Sequence, residues 1–121
     1  MMKPWETEPN REEFVSDDGL ACLILRNSTG HLCGYVAVPS GHPMYGKDYD
    51  QVPIDNVHGG LTFAGPSDKY RPGKGLWWFG FDCAHCGDLI PGASPVGIYR
   101  DINYVFAEIK KLAYELFRMK P

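Results

Sequence analysis

Positive charge is in short supply: 12 lysines and arginines stand against 15 aspartates and glutamates over 121 residues, a net charge of −3. A general nucleic-acid binder usually carries a basic excess that neutralises phosphates, so that class is set aside and small anions are left to local patches. Long apolar runs are missing too. No stretch reaches the roughly 18 residues that a membrane helix needs, and the start MMKPWETEPN has neither the basic flank nor the apolar stretch of a signal peptide. The expectation is a cytoplasmic protein with no membrane partner. Cysteine is limited to Cys22, Cys33 and the pair Cys83-x-x-Cys86. A single Cys-x-x-Cys is half a zinc ribbon, and free thiols are the default in a cytosolic chain, so no structural metal is expected. Ligation together with His85 and a redox pair are the alternatives, although Gly87 and Asp88 rather than a clear helix follow the pair. Walker loop, Gly-x-Ser-x-Gly elbow, His-Glu-x-x-His and Rossmann fingerprint are all absent, and no cofactor is expected.

What the chain does have is one dense stretch from Val57 to Asp88, where two apolar runs, VHGGLTFA and LWWFGFDC, flank a Gly/Pro/Lys loop and lead into AHCGD. If the runs pair antiparallel with Ala64 opposite Leu76, period-two alternation sorts them onto two faces. One face pairs Val57 with Cys83, Gly59 with Phe81, Leu61 with Phe79 and Phe63 with Trp77, which is a core. The other pairs His58 with Asp82, Gly60 with Gly80 and Thr62 with Trp78. Facing glycines leave bare backbone, and the second face becomes the floor of a small pocket with a His/Asp pair at one end. The competing reading makes the glycines bulges and His58 a hydrogen-bonded structural histidine.

The length suits one domain. Residues 1–13, with Pro4, Pro9 and several charges, read as a loose arm from which Trp5 can tack onto the body, and 14–121 as the domain. Leu20 to Arg26 and His31 to Val38 read as a hairpin around Asn27-Ser28-Thr29-Gly30, with Cys22 and Cys33 close together on one face. The polar loop from Pro39 to Pro53 is long enough to cover a site, and His42, Tyr45 and Lys47 are its ligand candidates. Lys69, Arg71 and Lys74 make the next loop cationic, suited to a phosphate or carboxylate or simply to solvent. Asp101 caps an amphipathic helix from Ile102 to about Arg118, with Ile102, Val105, Ile109, Leu112, Ala113 and Leu116 on one stripe. Glu108 borders that stripe and is expected in solvent, within reach of Lys111. Two hairpin signals followed by one helix predict an α+β domain: a mainly antiparallel sheet of about four strands with a C-terminal amphipathic helix on one face.

At HGGLTF, WWFGFDCAHCGD and GHPMYGKDYD the sequence resembles a family of small uncharacterised proteins encoded by tailed bacteriophages, over roughly Gly34 to Leu116. The resemblance implies a host-cell cytoplasmic setting and no mechanism. By analogy, small phage proteins with pockets include counter-defence factors that bind or destroy nucleotide immune signals. Three functions follow. A binding protein would take a small, nucleotide-like ligand over Gly60 and Gly80, with Thr62 and Asp88 at the pocket. Trp78 or Tyr45 would stack on the base, and Lys47 or the cationic loop would meet the phosphate. A small phosphodiesterase-like hydrolase would use His58, Asp82 and His85 for proton transfer. A structural or partner-binding protein would use exposed aromatics. Oligomeric state is not legible in the sequence.

Overall fold

A computed structural model of the chain describes residues 2–119. Five strands, β1 (Arg11–Val15), β2 (Ala21–Arg26), β3 (Leu32–Val38), β4 (Phe63–Pro66) and β5 (Trp77–Asp82), form one antiparallel sheet in the order β1-β2-β3-β5-β4. A short helix α1 (Pro4–Thr7) precedes them, a 3-10 turn covers Tyr49–Gln51, and helix α2 (Ile102–Phe117) ends the fold. This is the α+β class expected, with five strands in place of about four. The additional strand is β1, which starts inside the stretch read as a loose arm.

The hairpin β2–β3 turns where the sequence predicts. The Asn27 side chain accepts hydrogen bonds from the Thr29 N–H and hydroxyl, and Gly30 supplies the positive φ of 97°. Asp101 caps α2 by accepting from the Tyr104 N–H at 2.9 Å. The stripe of α2 then buries Val105, Ile109, Leu112, Ala113 and Leu116 against Ile24, Leu32, Val36, Val38, Phe79 and Phe81 of the sheet. Glu108 departs from expectation. It is 7% exposed rather than solvated, and its carboxylate is held by Lys111 at 2.7 Å.

The opposite face carries a second, smaller core of Leu23, Ala37 and Trp78, with Tyr35, Phe63 and Leu76 packed around it. The loop between β4 and β5 folds over it: the Trp78 indole N–H reaches Ser67 Oγ and the Pro72 carbonyl, both at 3.2 Å, and the Arg71 guanidinium lies 4.1 Å from the Phe63 ring centre. Cys22 sits opposite Val36 and Cys33 opposite Leu25, so the two thiols occupy opposite faces rather than one. All four cysteines are free.

Two loops that read as mobile or ligand-facing are instead tied down. Glu8 accepts from the Tyr99 hydroxyl at 2.6 Å and from the Ile102 N–H at 2.8 Å, while Trp5 packs on Tyr99. In the long loop, the Met44 N–H donates to His42 Nδ1 at 3.0 Å, which leaves Nε2 carrying the hydrogen that reaches the Leu116 carbonyl at 2.6 Å. Val52 of that loop and Ile54 just after it are buried, and Tyr45 stacks at an angle on Trp77. The loop closes the core at the C-terminal end of α2. No helix among the described residues is long and apolar enough to cross a membrane.

Candidate acid–base site

The pairing of β4 with β5 differs from the sequence-based register by three residues: Phe63 lies opposite Gly80 and Ala64 opposite Phe79. Backbone conformation is the cause. Gly59 and Gly60 take φ values of 68° and 77°, and the Gly60 N–H closes a turn onto the Val57 carbonyl at 2.9 Å. The stretch from Val57 to Gly60 is therefore a turn, and the strand begins only at Phe63. A slip of an odd number of residues changes the face of every side chain on the strand. Phe63 accordingly leaves the helix-side core for the second core, while Val57 and Leu61 stay buried under α2.

Consequently the glycine-floored pocket does not form. Gly80 faces Phe63 and Tyr35 rather than Gly60, and Trp78 is buried beneath the β4–β5 loop. Tyr45 packs on the core, and the exposed Lys47 contributes its carbonyl to the Trp77 indole N–H at 2.9 Å. None of these residues converges with His58.

His58 and Asp82 also part company. The turn points His58 toward α2, where Nε2 meets Asp88 Oδ2 and Nδ1 meets the Tyr104 hydroxyl, each at 2.7 Å. A carboxylate only accepts, so in the neutral imidazole Nε2 carries the proton and Nδ1 accepts from the phenol. Asp88 is 2% exposed and fully engaged: Oδ2 also accepts from the His85 N–H at 3.0 Å, and Oδ1 from Arg100 Nε at 2.9 Å. Burial pushes the Asp88 carboxyl upward, but the bonds from His58, Arg100 and the His85 N–H outweigh it and hold the pKa below the usual value. The bond to Asp88 in turn raises Arg100. Burial, followed by the Glu108 charge, raises Tyr104, so its phenol keeps its proton at neutral pH.

His85 and Asp82 form a second pair beside the first. His85 Nε2 is 3.2 Å from Asp82 Oδ1, close enough for an ion pair though too poorly aligned for a hydrogen bond, and the two histidine rings are 5.7 Å apart. Asp82 also accepts from the Thr62 hydroxyl at 3.2 Å and from the Ala84 N–H at 3.1 Å. Gly59 lies under the His85 ring, where a Cβ would collide with it. Of the sequence-predicted residues, the fold thus gathers His58, His85, Asp82, Asp88 and Thr62.

Arg100 and Tyr104 were not singled out from the sequence. Arg100 lies in an irregular segment, brought in because Asp88 bridges to Ile98. Tyr104 did leave a signal: a polar-tipped aromatic in the first turn of the helix, next to the apolar stripe. In the Cys-x-x-Cys, the Cys83 thiol is buried, and that burial raises its pKa, whereas Cys86 is exposed on the turn. Among the described residues no group of three His, Cys, Asp or Glu side chains converges as metal ligands. Two clefts, about 400 Å³ beside Glu13, Val15, Leu76 and Trp78 and about 220 Å³ beside Asp17, Lys110 and Tyr114, lie away from the histidines.

No protein-family model matches the chain, and no curated protein and no solved structure is significantly similar to it.

Proposed function

We propose that the protein is a small hydrolase working by general acid–base catalysis, with His58 as the proton-transferring residue and a small, nucleotide-like phosphoester as substrate. The observation that carries this reading is the Asp88–His58–Tyr104 chain, with both contacts at 2.7 Å. An ionised buried carboxylate fixes the tautomer of a histidine whose other nitrogen accepts a hydrogen bond from a hydroxyl. A substrate hydroxyl or water taking the position of the phenolic hydroxyl would meet the same basic Nδ1. His85, paired with Asp82, supplies a second titratable ring for the leaving group. The phage resemblance gives this chemistry a role, the removal of a nucleotide immune signal in the host cytoplasm.

Turnover of bis(4-nitrophenyl) phosphate and of cyclic dinucleotides by the purified protein tests the reading. Hydrolysis should fall by about a hundredfold or more in His58→Gln, the usual scale of general acid–base assistance. Absence of turnover in the wild type, or full activity in His58→Gln, contradicts it.

A second reading is sequestration without chemistry. It draws on the cleft of about 400 Å³ at Leu76 and Trp78, a volume within the range of small-molecule pockets. Saturable quenching of tryptophan fluorescence by an unhydrolysed nucleotide would favour it over the hydrolase.

A further inference from the structure

We propose that Arg100 is the substrate-anion receptor of this centre and selects a singly charged phosphodiester; the proposal rests on the hydrolase reading. Arg100 is anchored along one edge only. Its Nε donates to Asp88 Oδ1 at 2.9 Å and its guanidinium carbon lies 4.9 Å from the Tyr104 ring centre, two contacts that hold the group in place. The two Nη groups have no protein acceptor among the described residues, and the side chain is 24% exposed. A planar fork of free N–H donors held rigidly beside a histidine matches two oxygens of one phosphate. The ring it stacks on belongs to Tyr104, whose hydroxyl is bonded to His58, so an anion on the fork lies next to the proton-transfer atoms.

Charge selection follows from the neighbours. The Asp88 charge is paired with Arg100 and accepts a hydrogen bond from neutral His58, while Asp82 is engaged by Thr62, Ala84 and His85. Among the described residues Arg100 has one acidic partner, Asp88, and no second cation contacts this pair, so one negative charge on a ligand meets the guanidinium and the further charge of a polyanion finds no partner. Lys47, Lys69 and Lys74 are exposed in loops outside this cluster and do not offset it.

The test is a titration of the protein with dimethyl phosphate, which is singly charged and inert, compared with acetate and pyrophosphate at matched ionic strength. Binding is read from the backbone amide resonances of His85 and Tyr104, present in every variant, and folding of each variant from circular dichroism. Dimethyl phosphate should shift those resonances equally in wild type and His58→Gln. Its affinity should fall about tenfold or more in Arg100→Gln, as expected for losing charged hydrogen bonds, and recover in part in Arg100→Lys, which also serves if the Gln variant fails to fold. Undiminished binding in Arg100→Gln, no binding in the wild type, or tighter binding of acetate or pyrophosphate overturns the proposal. A wild type that binds dimethyl phosphate through Arg100 yet hydrolyses no ester sinks the hydrolase reading and leaves the receptor standing. Hydrolysis with an unchanged KM in Arg100→Gln does the reverse.

Discussion

Asp88 carries two opposing demands, burial that favours the neutral acid and three hydrogen bonds that favour the carboxylate, and the hydrogen bonds prevail. A carboxyl whose folded pKa is depressed contributes stability that is fully present above its unfolded pKa of about 3.9 and is lost as pH falls through the lower folded value. Acid unfolding of the wild type should therefore steepen below about pH 4, and Asp88→Asn should flatten that limb. At neutral pH the same substitution, read by urea titration, should cost about 1–3 kcal/mol, since Arg100 and His58 lose an ionised partner. Tyr104→Phe is the gentler probe. It removes one hydroxyl and one bond to His58, so stability should drop by about 1 kcal/mol while the pH dependence of turnover moves, because Nδ1 loses its donor. An unchanged pH profile in Tyr104→Phe would detach the phenol from the chemistry.

Between elements, the site is the meeting of a turn, a strand end and a helix start. The turn at Val57–Gly60 delivers His58, the end of β5 delivers Asp82 and then His85 and Asp88, and the first turn of α2 delivers Tyr104. Gly59→Ala should hurt twice: its left-handed φ of 68° costs a non-glycine residue about 1–2 kcal/mol, and the new Cβ strikes the His85 ring. Thermal melting should show the loss, and the His58 and His85 resonances should move with it. Glu8→Gln should weaken the start of α2, where Glu8 Oε2 accepts from the Ile102 N–H, and lower the melting temperature by a few degrees, as about 1 kcal/mol does in a domain of this size. The helix, its Asp101 cap and the β2–β3 hairpin were legible in the sequence because each is set by local periodicity and turn chemistry. The β4–β5 register was not. HGGLTF alternates like a strand, yet two consecutive glycines took positive φ and made a turn of its first half, and periodicity carries no term for that choice. The fold therefore brings His58, Asp82, His85 and Asp88 together, with His58 bonded to Asp88 instead of Asp82, and leaves Trp78, Gly80, Tyr45 and Lys47 apart from them.

On the scale of the molecule, the sheet is sandwiched between α2 and the β4–β5 loop, so the end of β5 beside the start of α2 is where polar groups gather at the margin of the main core. The two elements hold that corner together through Asp88, and the N-terminal segment braces it from outside through Glu8 and Tyr99. The central claim is that Asp88 fixes His58 as the Nε2-protonated tautomer with a basic Nδ1 facing the Tyr104 hydroxyl, and nitrogen-15 spectra of the histidine rings at neutral pH measure that directly. The account predicts for His58 a protonated Nε2 with a slowly exchanging hydrogen and an unprotonated Nδ1, both averaging out in Asp88→Asn. A His58 ring protonated on Nδ1, or one whose spectrum is the same in wild type and Asp88→Asn, would contradict it.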